Sequence, residues 1–274
     1  MTQLETYISQ FKDKTISVAV YDLQTQEEIL INADEMMHPA STMKVPVMME
    51  VFRQAQAGLL SLDEQLKIFN SFKSIVDGSE FSLEIADDSE LTLYKRIGET
   101  ESIRELVRLM IVLSSNLASN ILMEKVGTAQ VDAFIKELGI KDMAVIRGLE
   151  DKKAYRLNIN NAASARSSTT MMRLIAEGKI ISREVCDEMI QIMLGQEFNE
   201  SIPALIPNHA KVAHKTGWSG EFFHDTGIVF PPNRKPYAIS IFTRGFPENN
   251  ENEAHACMAK VSRLVYEKII LGRP

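Results

Sequence analysis

At 274 residues, 45% hydrophobic and 24% charged, the chain has the make-up of a soluble globular protein, with length for one large domain or two modest ones. Its formal charge of −7 argues against nucleic acid as the main partner, because phosphate binding rests on a basic face. Cys186 and Cys257 do not make a zinc site, which needs about four ligands at short spacings; two buried free thiols are expected rather than a disulfide.

No apolar run approaches the roughly 20 residues that span a bilayer. The opening stretch MTQLETYISQFKDK lacks the apolar core and small-residue cleavage site of a signal peptide. As written, the chain reads as cytoplasmic, or as secreted or periplasmic with its export signal removed.

Residues 2–12 predict a short amphipathic helix, with Leu4, Tyr7, Ile8 and Phe11 at helical spacing. Thr15 to Leu23 alternates and is rich in β-branched residues, which predicts a strand. A polar turn at 24–26 leads to a hairpin partner over Glu28 to Asn32. From Ser41 to Met193 the text is mainly helical, and Gly58, Gly127, Gly139 and Gly178 sit where helix C-termini need them. A polar stretch, 87–101, separates two of these helices, and Arg147 to Ser168 lacks a clear period and reads as a long loop. Strands return at Ala210 to Gly217, Thr226 to Phe230 and Tyr237 to Thr243, spaced like an antiparallel meander. A helix from about Asn252 to Leu271 closes the chain.

A two-stranded hairpin is not stable alone, so the first and last segments are expected to share one sheet. The fold class is therefore α/β (α+β), a five-stranded antiparallel sheet flanked by terminal helices with an inserted all-helical domain. The expected boundaries are 1–40 plus 205–274 for the sheet domain and 41–204 for the helical one, with the active site in the cleft between them. No internal repeat or low-complexity segment interrupts this plan.

Three short motifs carry chemistry. Ser41-Thr42-Met43-Lys44 is a Ser-x-x-Lys opening a helix, and residues three apart share a helix face, so the lysine amine can reach the serine hydroxyl. Alone, it reads more simply as an N-cap beside a surface lysine; Ser9 and Lys12 have the same spacing on a solvated face. Pro46 falls early enough in that helix to remove about one hydrogen bond. Ser114-Ser115-Asn116 follows an apolar helical run. It is either the cap of the next helix or a hydroxyl and an amide projecting into a cleft. Lys215-Thr216-Gly217 ends a strand, where a cation and a hydroxyl could bind a carboxylate. Glycine would let substrate lie close, and the backbone N–H of Trp218 could face a reacting carbonyl.

In the order Ser-x-x-Lys, Ser-x-Asn, Lys-Thr-Gly, and each in its expected context, these motifs make the sequence resemble the class A β-lactamases and penicillin-binding serine hydrolases along almost its whole length. The resemblance implies that Ser41 is the nucleophile and Lys44 a candidate base for acylation. It makes Ser114 a proton relay and Asn116 a substrate-orienting amide. Lys215 and Thr216 would bind a substrate carboxylate, with Gly217 allowing close approach and the backbone N–H groups of Ser41 and Trp218 forming the oxyanion hole. No metal or organic cofactor is implied.

Two departures stand out. Class A enzymes usually carry Asp in the middle of the second motif, and this chain has Ser115. Their deacylating glutamate lies in a Glu-x-x-Leu-Asn pattern on an Ω-shaped loop, whereas here Leu157-Asn158 follows Glu150 too late for that spacing. Glu150 is nevertheless the first candidate, its alternatives being a solvated loop acid or a partner of Arg147; Asp151 is the second. His224-Asp225 is not a ready-made dyad, because neighbours on a strand face opposite ways. His224 reads as an edge-strand histidine, Arg244 as a surface residue, and His38 and His214 receive no role.

The function that follows is hydrolysis of a β-lactam amide through an acyl-enzyme on Ser41. An esterase or D-alanyl peptidase with the same site, or a penicillin-binding or sensing module that stays acylated, are the alternatives. The expected partner is a small β-lactam or acyl-peptide-like molecule, with no membrane span and an oligomeric state that the sequence leaves open.

Overall fold

The computed structural model describes residues 2–272. Its helices are α1 (Gln3–Ile8), α2 (Lys44–Gln56), α3 (Ile103–Val112), α4 (Asn116–Val126), α5 (Thr128–Glu137), α6 (Lys152–Arg156), α7 (Ala165–Glu177), α8 (Arg183–Leu194) and α9 (Glu251–Leu271). The main sheet holds β1 (Thr15–Asp22), β2 (Glu28–Ile31), β3 (Lys211–Ser219), β4 (Phe222–Phe230) and β5 (Tyr237–Arg244), in the order β2-β1-β5-β4-β3. Every pairing is antiparallel, including β1 with β5, where Thr15 faces Arg244 and Asp22 faces Tyr237. The two chain ends therefore do share one sheet.

The chain folds as two compact units. One runs up to Thr42 and resumes at Ala162; the other is Met43–Asn161. The first break thus falls inside the Ser-x-x-Lys motif. The second lies at 161/162, not at 204/205, because α7 and α8 belong with the sheet. Thr169 on α7 donates its hydroxyl to the carbonyl of Ala19 in the middle of β1 (3.0 Å), a bond that ties this helix to the strand it covers.

In the sheet unit, strand alternation sorts the faces. Ile16, Val18 and Val20 of β1 join Ile239 and Ile241 of β5 in a core closed by Met258, Val261 and Val265 of α9. The opposite face includes the small groups Ser17, Ala19, Ala238 and Ser240 beside Tyr21 and Phe242, and α7 packs there with its own Ser167, Ser168 and Thr169. Since helices cover both faces, β1 is buried from Ile16 to Asp22. Leu4 of α1 enters the same core, and Thr2 closes a capping box with Glu5 to start that helix, which is shorter than the span 2–12 expected from the apolar spacing.

The other unit is built round α4, whose residues Leu117 to Met123 are all buried. Helices α2, α3 and α5 pack against it. Small two-stranded ladders join Gln65–Lys67 to Thr100–Ser102 and Phe72–Lys73 to Glu80–Phe81. The segment 147–168, expected as a loop, contains α6 and the first turn of α7. Asp151 caps α6 by accepting from the N–H of Ala154 (3.1 Å), and Ser164 opens α7 in a capping box with Ser167. Cys186 and Cys257 are free and buried. Among the described residues no helix is long and apolar enough to cross a membrane.

Candidate active site

Backbone strain marks two of the candidate positions and the residue before a third. Eight non-glycine residues among those described have left-handed backbones. Five are the Asn, Asp or Gln residues Gln26, Asn32, Asp142, Asn158 and Asn233. The remaining three are Ala40, next to Ser41; Ser114; and Glu150. Such conformations cost free energy and persist where the surroundings over-determine them, which is common at functional sites.

In the sheet unit, Ser41 is half-buried in a 3-10 turn, Ala40–Met43, that runs straight into α2. Several contacts fix the chain leading to it. The N–H of Thr42 donates to the carbonyl of Pro39 (3.1 Å), and the Thr42 hydroxyl donates to the same oxygen (2.6 Å). His224 Nε2 lies 2.9 Å from the carbonyl oxygen of His38. His224 is not on an edge: β4 lies between β5 and β3, and the ring is buried and stacked on Phe242. Burial pulls its pKa down to about 4, so it is neutral at ordinary pH. In register it faces Gly217, while Lys215 faces Thr226.

Strand β3 is the sheet edge. A Cβ at Gly217 would lie 2.9 Å from the backbone nitrogens of both Ser41 and Thr42, and 3.1 Å from the carbonyl of Pro39. Only glycine lets the strand come this close to the backbone of Ser41. Lys215 is buried and donates to the carbonyl of Thr216 (2.8 Å), Thr216 is half-buried, and Trp218 is exposed. Arg244 ends β5, half-buried, with a guanidinium N–H on the hydroxyl of Thr15 (3.3 Å). His214 is bound to Asp225 (2.9 Å) and lies 3.2 Å from the Asn199 amide oxygen, a buried structural pair.

In the helical unit the second motif meets the lysine of the first. Lys44 is fully buried, and its ammonium donates to the Ser114 carbonyl (2.6 Å), the Ser114 hydroxyl (3.2 Å) and the Asn116 amide oxygen (2.8 Å). Loss of hydration brings its pKa down to about 7, although the charges of Asp88 and Glu150 hold it up. A buried lysine poised there can exchange a proton with a hydroxyl near neutral pH. Ser115 is the cap of α4, accepting from the N–H of Ala118 (3.2 Å); the motif is thus both a cap and a pair of groups on Lys44.

Glu150 is half-buried, and its pKa is raised, first by burial and then by Asp87, against Lys152, Arg147 and Lys44. The Arg147 guanidinium bonds the carbonyls of Ile159 and Gly148 and the amide oxygen of Asn160 instead. Asp151 holds the Ser74 hydroxyl and the backbone N–H groups of Ile75 and Ala154, a bracing role.

Three contributors were not among the motif residues. Asn120 clamps Leu149 at both ends, its oxygen accepting from the Leu149 N–H (2.8 Å) and its amide donating to the Leu149 carbonyl (3.0 Å). Its place one helical turn after Asn116 was the available signal. Gly148 leaves room for that amide, since a Cβ there would lie 3.1 Å from its oxygen. Asp88 accepts from the N–H groups of Asn116 (3.0 Å) and Leu117 (2.9 Å).

A five-stranded antiparallel sheet with helices on both faces, a separate helical unit and the ordered motifs together define a β-lactamase/transpeptidase-like protein. Residues 1–269 match the β-lactamase enzyme family, and the chain belongs to it. The extended-spectrum β-lactamase PER-1 of Pseudomonas aeruginosa is 24% identical over 268 residues, which covers 93% of this chain and 83% of that protein. PBP-A is similar in structure, with a TM-score of 0.84 at 25% identity over 97% of this chain and 94% of that one. A variant of the last common ancestor of Gram-negative class A β-lactamases shares the fold, with a TM-score of 0.84 at 22% identity over 97% and 98% of the two chains.

Proposed function

We propose that this serine hydrolase opens a β-lactam amide through an ester on Ser41. The Ser41 hydroxyl attacks the lactam carbonyl, and its proton leaves by way of Lys44 in the amine form. The Ser114 hydroxyl delivers a proton to the ring nitrogen as the C–N bond breaks. Asn116 orients the substrate, Lys215 and Thr216 take its carboxylate, and the N–H groups of Ser41 and Trp218 receive the oxyanion. The observation that carries this reading is the buried Lys44, its pKa near neutrality and its ammonium on Ser114 and Asn116.

Deacylation in this scheme belongs to Glu150, which would take a proton from the water that attacks the ester. Its raised pKa and its electrostatic coupling to Lys44 support that role. A second reading has two supports. The two-point clamp of Asn120 grips Leu149, one residue short of the carboxylate, and PBP-A is a structural neighbour of which a point variant was solved as its acyl-enzyme with penicillin G. On that reading the ester forms and persists.

Nitrocefin turnover separates the two. The hydrolytic reading predicts rapid turnover that disappears in Ser41→Ala, while Glu150→Gln keeps acylation and accumulates adduct. A wild-type adduct without turnover would establish the binder. Turnover unchanged in Glu150→Gln would remove that residue from the mechanism.

A further inference from the structure

We infer that Asp88 is a positioning residue that holds the Ser114–Asn116 turn in place and sets the charge of Lys44. The inference rests on the acylation chemistry proposed above and concerns a residue outside all three motifs.

Asp88 lies in the irregular segment before α3, 28 residues ahead of Asn116. It is almost fully buried and its carboxylate is saturated with donors. Oδ1 accepts from the backbone N–H groups of Asn116 (3.0 Å) and Glu90 (3.1 Å). Oδ2 accepts from the N–H of Leu117 (2.9 Å) and the phenol of Tyr94 (3.0 Å). Two of these donors are the first two N–H groups of α4, unpaired at any helix start. Ser115 satisfies only the N–H of Ala118, so a second acceptor from a distant segment completes the cap.

The consequence for the site follows from chain connectivity. Asn116 presents its amide oxygen to Lys44 and donates its amide N–H to the carbonyl of Asp87 (2.9 Å). Asp87 and Asp88 together therefore grip Asn116 by backbone and side chain. Ser114, two residues earlier, has a left-handed backbone that does not hold itself. A buried carboxylate anchoring the next two N–H groups supplies the over-determination that such a backbone needs.

The electrostatic half concerns Lys44. Burial disfavours its ammonium, and Asp88 and Glu150 are the charged groups that act on it in this unit, both favouring the protonated form. The Tyr94 phenol, donating to Asp88, disperses part of that negative charge, and its own pKa is pushed up by burial and by Asp88. Asp88 and Tyr94 thus tune the lysine in opposite directions.

The test is the pH profile of the second-order acylation rate constant with penicillin, followed by quenched intact-mass measurement on the whole chain. Asp88→Asn removes the charge, so Lys44 should lose its proton more easily. The acid limb should move down by roughly one pH unit, and the plateau should fall by about tenfold because the new amide nitrogen cannot accept from Leu117. Tyr94→Phe keeps the charge and removes the donor that disperses it, so its acid limb should move up. Opposite shifts support the inference, and the Tyr94→Phe shift alone tests it if Asp88→Asn does not fold. Acid limbs left at the wild-type position, with only a lower Tm, would overturn it and leave Asp88 as a helix brace. A wild type that forms no adduct and leaves the penicillin whole would instead defeat the Ser41 chemistry, before either variant is compared.

Discussion

Lys44 is the side chain whose charge state governs the proposed chemistry. With its pKa brought down to about 7 by burial, the amine is mostly free above neutrality and mostly protonated below it. Acylation of Ser41 should therefore lose about tenfold per pH unit as the pH falls below roughly 7, read as the rate of adduct formation; a flat profile from pH 5 to 8 would dismiss Lys44 as the base. At this scale the motif residues were legible because helix geometry fixes what lies three or four positions apart. Ser41 with Lys44 was proposed on that ground, whereas Asn120, one helical turn after Asn116, was not picked out. Asp88 was not legible, since it reaches α4 from 28 residues upstream with no period to announce it. The second role of Ser115, as cap as well as motif member, was legible only as an alternative.

At the scale of elements, two glycines in neighbouring strands separate function from stability. A Cβ at Gly217 on β3 would meet the backbone nitrogens of Ser41 and Thr42 at 2.9 Å, and backbone atoms cannot swing aside. Gly217→Ala should push the strand away from the nucleophile and reduce acylation about a hundredfold, the cost of a misplacement near 1 Å, with a modest change in Tm. A Cβ at Gly227 on β4 would meet the Ala213 carbonyl at 2.6 Å, with His214 rather than Ser41 or Thr42 as its next neighbour. Gly227→Ala should lower stability by about 1–3 kcal/mol and leave the acylation rate of the folded fraction unchanged. Equal effects on rate from both would show that Gly217 acts only through the sheet. The strands themselves were readable from alternation, and the terminal helices from their apolar spacing. Helix α6 was not, because five residues capped by Asp151 are too few to display a period.

The whole molecule is a sheet unit made from both chain ends and a helical unit made from the middle, as hydrophobic patterning suggested. The second boundary was misplaced because a helical pattern does not say which surface a helix will cover. The small and polar face of α7, Ser167, Ser168 and Thr169, fits the sheet, and that match emerges only when β1 and β5 are seen side by side. Stability of the sheet unit should depend on pH through His224. Its pKa falls to about 4 in the fold, below the ordinary histidine value, so between those pH values the unfolded chain binds more protons. The contribution is therefore complete above about pH 6.5 and is lost as the pH falls toward 4, amounting to roughly 3 kcal/mol at most. Thermal unfolding from pH 4 to 7 should show this slope, and His224→Gln should flatten it; an unchanged slope would mean that other groups carry the acid sensitivity.

The most direct measurement is intact mass after a brief exposure to penicillin, with the modified peptide then mapped. One adduct with the mass of the intact drug is expected on the peptide containing Ser41, absent from Ser41→Ala and slower to form below neutrality. An adduct on any other residue, or none with the drug left whole, would contradict it.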